Sequence, residues 1–229
     1  EAEPAVVRLQ TAERDFAVRV RPGRQTVVLY PEAESASAGR VVVRSSLPGF
    51  SVLRIQPLHP EAAEPLPADM GTILRYPPSL WRSPEYEIFR WSLYPDVLVM
   101  DTADYEIQAR FFKRLAFFVE KEGFRGQLLT DTQLAGRHGY NAHNYNGEGL
   151  AAFFSRVDET GMTLTTQEVL LRELALREGI IVRDADGYLP GSGGILSVSQ
   201  ESWSIPGLRE LLLTHEAYHG VYYRDAPYV

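Results

Sequence analysis

The hydrophobic pattern changes period about a third of the way along the chain, and that change limits which architectures it can adopt. Short β-branched runs recur at residues 5–9, 16–20, 26–30, 40–44 and 51–55, separated by turn formers such as Arg21-Pro22-Gly23 and Leu47-Pro48-Gly49. Val18 and Val20, then Val27 and Leu29, alternate with other residues as in a half-buried strand. Residues 1–75 therefore read as a small β-sandwich-like module. A connector rich in proline follows, with His59-Pro60, Pro65, Pro67 and Pro77-Pro78; proline removes backbone donors and favours extended chain. His59, beside Pro60, reads as structural.

Residues 76–229 have the mixed signature of an α/β domain. Residues 97–100 form a short apolar strand candidate ending at Asp101-Thr102. A helix is expected over 104–122, with Ile107, Phe111, Leu115, Phe118 and Val119 on one stripe and Gly123 as its C-terminal cap. Strands are expected at 126–130, 180–183 and 195–199. A second helix, capped by Thr165 or Thr166, runs to Arg177 with Leu170 and Leu174 on one face. The whole is expected to be an α+β protein of two domains, the second carrying its most informative helix near the C-terminus.

Several function classes are excluded early. The 229 residues carry a formal net charge of −7, and no Lys/Arg cluster concentrates positive charge, which argues against a nucleic-acid partner. Cysteine is absent, so disulfides, thiol nucleophiles and cysteine-based zinc sites are ruled out. No apolar run reaches the roughly 18 residues that suggest a bilayer span. Gly191-Ser192-Gly193-Gly194 lacks the downstream Lys-Ser/Thr of a phosphate-binding loop, and neither GxGxxG nor GxSxG occurs. A chain beginning at Glu1 suggests processing, hence an extracytoplasmic protein that is periplasmic, lipid-anchored or secreted.

The segment 204–221 carries the chemistry. Ser204 is a candidate N-cap and Pro206 is tolerated in a first turn. Leu208, Leu211, Leu212, His215, Tyr218, His219 and Tyr222 share a helical stripe, which is expected to face the interior or a cleft. His215 and His219, one turn apart, can aim ring nitrogens at one ion. Glu216 is rotated about 100° from His215, which sets a carboxylate beside such an ion, where it can take a proton from water.

His215-Glu216-Ala217-Tyr218-His219 matches the HExxH signature and resembles the zincin superfamily of metallopeptidases, with uncharged Leu213, Ala217, Tyr218 and Gly220 in and around the motif. The resemblance covers about ten residues. It implies Zn2+ held by His215 and His219, Glu216 as general base, and peptide-bond hydrolysis on a peptide or protein substrate. In that superfamily the strand before the active-site helix often pairs with extended substrate; by position this is 195–199.

A third ligand is needed. Asp225, ten residues after His215, matches the spacing of HExxHxxGxxD, although Tyr222 stands where that pattern has glycine. Other candidates lie in the Asn/Gly-rich stretch 137–148, which also reads as a loop leading into a helical run at 150–154. There His143 or Glu148 could complete a metal site, and Tyr140 or Tyr145 could stabilise an oxyanion. Asp101-Thr102 and Asp131-Thr132 follow expected strands, where ligands often bind, yet both also suit helix caps. Two rival functions stand beside the peptidase: a non-catalytic cell-envelope binding or adhesion module with a metal-free helix, and a metal-assisted hydrolase of another bond.

Overall fold

The computed structural model describes residues 5–10, 15–20, 42–45, 51–52, 64–200 and 207–223. The expected strand at 26–30, His59, Ser204, Pro206 and Asp225 lie outside the described residues. The chain forms two compact units, Glu1–His59 and Pro60–Val229. In the first, β1 (Ala5–Gln10), β2 (Asp15–Val20) and β3 (Val42–Ser45) form an antiparallel sheet of order β2-β1-β3. Among the described residues this unit is a single sheet.

The second unit holds the rest of the regular structure. Its strands and helices run β4 (Leu66–Ala68), α1 (Met70–Arg75), β5 (Tyr86–Trp91), β6 (Val97–Thr102), α2 (Tyr105–Val119), α3 (Asp131–Leu134), β7 (Ala142–Asn146), α4 (Gly147–Thr160), α5 (Thr166–Arg177), β8 (Ile181–Asp184), β9 (Gly187–Pro190), β10 (Gly194–Ser199) and α6 (Leu208–Tyr222). The unit boundary falls at 59/60 rather than near residue 75. The reason is pairing: β4 runs parallel to β5, and Ile73 of α1 is buried with Phe89 and Val99. Pro67 sits in β4, an edge strand, where a missing N–H is tolerated.

The main sheet has the order β4-β5-β6-β10-β7 and is mixed: β4 and β5 are parallel, as are β6 and β10, while β5 with β6 and β7 with β10 are antiparallel. Alternation along each strand divides the core into two layers. Leu98, Met100 and Ile195 pack with Phe111, Phe112, Leu115, Leu150, Phe154 and Leu171. Val97, Val99, Leu196 and Val198 pack with Ile73, Leu213 and Ala217. Helices thus cover both faces, α2, α4 and α5 on one and α1 and α6 on the other. Among the described residues no helix is long and apolar enough to cross a membrane.

Local signals set most helix ends. Asp104 caps α2 by accepting from Ile107 N–H at 2.8 Å. Thr165 and Glu168 form a reciprocal capping box on α5. Arg114 of α2 is buried, and its guanidinium meets Glu168 at 2.8 Å and Asp131 at 2.5 Å, tying α2, α3 and α5 together. The expected strand at 126–130 is not one. Arg114 donates to the Leu129 carbonyl, and the Leu129 side chain is buried with Phe117 and Leu134, so this segment is anchored by side chains rather than by a ladder.

Candidate functional site

α6 begins at Gly207, an N-cap in the left-handed region (φ 84°) that glycine enters without strain. From its first turn Arg209 donates to the Ile73 and Leu74 carbonyls of α1 and pairs with Asp101, which is fully buried at the end of β6. Burial pushes the Asp101 carboxyl up, opposed by the Arg209 charge and hydrogen bonds from Arg209 and Gln200. Asp101 is therefore a structural anchor for the site-bearing helix.

The face that α6 buries differs from the leucine-rich stripe. Leu213, Glu216, Ala217 and Gly220 are buried, whereas Leu211, Tyr218 and Tyr222 are 66%, 61% and 56% exposed. The cause is close approach. A Cβ on Gly220 would meet Val97 Cγ1 at 3.1 Å, Leu196 Cδ1 at 3.3 Å and Trp91 at 3.4 Å, so the sheet comes nearest where α6 has its smallest side chains. With about 100° per residue, His219 lies about 40° and Glu216 about 100° from His215, while the core-facing residues centre near 160°. His215 therefore lies nearly opposite the core, on the solvent side, His219 is turned somewhat toward the core, and Glu216 is on the core side.

His215 is exposed and His219 half-buried, and their ring centroids are 5.1 Å apart with planes inclined at 75°. Glu216 turns toward β7, where its Oε2 accepts from Asn144 Nδ2 at 2.8 Å. Asn144 Oδ1 in turn accepts from the Tyr223 hydroxyl at 2.8 Å. The Tyr223 phenol is pushed well up by burial and by the nearby Glu216 and Glu120 charges, so it stays a donor.

The stretch 137–148 is only partly loop, because residues 142–146 form β7, the edge strand paired to β10. Alternation sends His143 and Tyr145 to the face opposite Asn144, against Phe112 at 5.3 and 6.0 Å. The Tyr145 hydroxyl donates to Glu120 Oε1 at 2.7 Å, which leaves its oxygen to accept from His143 Nδ1 at 3.0 Å. That order places the His143 proton on Nδ1. Burial depresses the His143 pKa against the pull of Glu120, and burial together with the Glu120 charge raises Tyr145. Glu120 is pushed up by burial yet held below its ordinary value, because the neighbouring His143 ring, 3.8 Å away, and the hydrogen bond from Tyr145 outweigh it.

His143 and Tyr145 are thus committed to this buried chain and are not brought to the His215–His219 pair. Tyr140 lies under the Lys121 ammonium, 3.5 Å from its ring centroid, and Glu148 is exposed in the first turn of α4. Among the described residues no third His, Asp or Glu joins the pair. β10, the strand expected to pair with substrate, is buried throughout and flanked by β6 and β7, so both its edges are occupied. Among the described residues the terminal strand on this side of the sheet is β7, which pairs with β10 alone.

Asn144 and Tyr223 do not stand out in the sequence as functional residues. The signal for Tyr223 was its position seven residues after Glu216, the same helical face; for Asn144 it was alternation within β7, visible only once 142–146 is known to be a strand. Comparison with known proteins finds no match among family models, curated proteins or solved structures.

Proposed function

We propose that the chain is a zinc-dependent peptidase in which His215 and His219 hold the metal and Glu216 is the general base. One observation carries the reading. With zinc–nitrogen distances of about 2.1 Å and a tetrahedral angle, two chelating imidazoles have centroids roughly 5 Å apart; here the separation is 5.1 Å. Both rings have solvent access, as a site that admits substrate requires. The donor set, two imidazoles with a carboxylate alongside, suits zinc in its three-protein-ligand hydrolytic form; Asp225 has the spacing of a third ligand, but α6 runs unbroken past His219 to Tyr222, where that pattern needs a turn. Zinc bound there would supply Lewis-acid polarisation of a substrate carbonyl and of water.

The chain's own groups supply the proton chemistry. Glu216 takes a proton from the attacking water as the water oxygen bonds to the carbonyl carbon. It then delivers that proton to the amide nitrogen as the C–N bond breaks, leaving a carboxylic acid and an amine. An extended peptide would add along the β7 edge by backbone pairing, in place of the β10 pairing that the resemblance implies.

The test is hydrolysis of a panel of unstructured peptides by the zinc-loaded protein. Cleavage that stops with a chelator and is absent from His215→Ala is the expected result. A zinc-loaded protein inert toward the whole panel would contradict the peptidase, and failure to bind zinc would favour the metal-free envelope module.

A further inference from the structure

Resting on the reading of Glu216 as the base, we propose that Asn144 and Tyr223 are positioning residues that hold its Oε2, leaving Oε1 as the atom that takes the proton. A carboxylate on a helix flank can adopt several rotamers, and only a fixed one keeps an oxygen within reach of a reacting proton. Here Asn144 Nδ2 donates to Oε2 at 2.8 Å, and among the described residues Oε1 accepts no hydrogen bond. The two oxygens are thereby made unequal.

The amide that makes this bond is itself held in one sense. Its Oδ1 accepts from the Tyr223 hydroxyl at 2.8 Å. Turned over, it would set its carbonyl oxygen against the Glu216 carboxylate, which offers no proton in its ionised form. Tyr223 is seated in turn by Gly194. A Cβ at Gly194 would lie 2.8 and 3.0 Å from Tyr223 ring carbons and 2.6 Å from the Tyr145 carbonyl oxygen, so a bare glycine at the start of β10 is what lets the ring lie there. Glu216 and Tyr223 are seven residues apart and share the inner face of α6. β7 contributes Asn144 between them, so helix, edge strand and ring act as one clamp. Neither Asn144 nor Tyr223 needs to touch substrate or metal for this role.

The experiment compares zinc-loaded wild type, Asn144→Ala, Tyr223→Phe, Glu216→Gln and the Asn144→Ala/Glu216→Gln double variant, with the Asn144 side-chain amide followed by NMR in the metal-free protein. Asn144→Ala should lower kcat about 10–100-fold with KM and zinc content unchanged, because loss of orientation acts on the transition state. Tyr223→Phe keeps the ring on Gly194 and removes only the hydroxyl, so its kcat should fall by less. Adding Asn144→Ala to Glu216→Gln should cost nothing further, since the two act as a unit. In the metal-free protein the Asn144 amide resonance should shift toward that of a solvated amide in Glu216→Ala. A wild-type kcat in Asn144→Ala, an additive loss in the double variant, or an amide resonance indifferent to Glu216→Ala would overturn the positioning role and leave the peptidase standing. A zinc-loaded wild type that cleaves nothing would bring down both.

Discussion

Glu216→Gln is expected to retain zinc and to lose about 10²–10⁴-fold in kcat, the range for removing a positioned general base. Glutamine is nearly isosteric with glutamate, and its carbonyl oxygen can still accept the Asn144 hydrogen bond, so α6 should keep its seat on the sheet. His215 and His219 lie nearer solvent and do not depend on the Glu216 charge for their placement. What the variant lacks is an atom able to take a proton at neutral pH. Parallel zinc analysis and steady-state kinetics decide it. Wild-type turnover in Glu216→Gln would remove Glu216 from the mechanism, and loss of zinc would make it part of the metal site instead.

Gly220→Leu should be the most damaging single change on the core side of α6, costing about 3 kcal/mol, the upper part of the usual range for overpacking. The reason is the close approach of helix to sheet, where even a Cβ would stand 3.1 Å from Val97 and 3.3 Å from Leu196. The three carbons beyond it have no space unless α6 lifts, and lifting also draws Glu216 away from Asn144. Gly220→Ala is a different matter. It gains about 1 kcal/mol of helix propensity and meets side-chain atoms that need yield only a few tenths of an ångström, so it should unfold close to wild type. Urea denaturation of the three proteins measures the contrast. Equal midpoints for leucine and wild type would mean that α6 does not pack as described.

The misreading of α6 has the same physical origin. The leucine-rich stripe suggests that Leu211, Tyr218 and Tyr222 face the interior or a cleft, but all three are exposed, because the helix approaches the sheet through Ala217 and Gly220. In the structure His215 is exposed, His219 is half-buried and Glu216 is turned inward, so the motif was legible in the sequence and its orientation was not. Where the signal is local, sequence and structure agree. The start of α2 at Asp104, the Thr165 cap of α5 and the apolar run of β6 each depend on a few adjacent residues. β7 was read as a loop because Asn141, Asn144 and Asn146 favour turns, and its strand state depends on β10, some fifty residues later in the chain. The 126–130 segment departs in the opposite direction. It has strand composition, but its Leu129 carbonyl is taken by Arg114. The parallel pairing of β4 with β5 joins segments some twenty residues apart, a contact that no local pattern in the sequence announces.

X-ray absorption at the zinc edge, on protein loaded with one equivalent, goes most directly to the metal pair. The account predicts two imidazole nitrogens at about 2.0–2.1 Å in the wild type, and loss of one with each of His215→Ala and His219→Ala. A first shell without histidine, or one unchanged when both histidines are replaced, would contradict it.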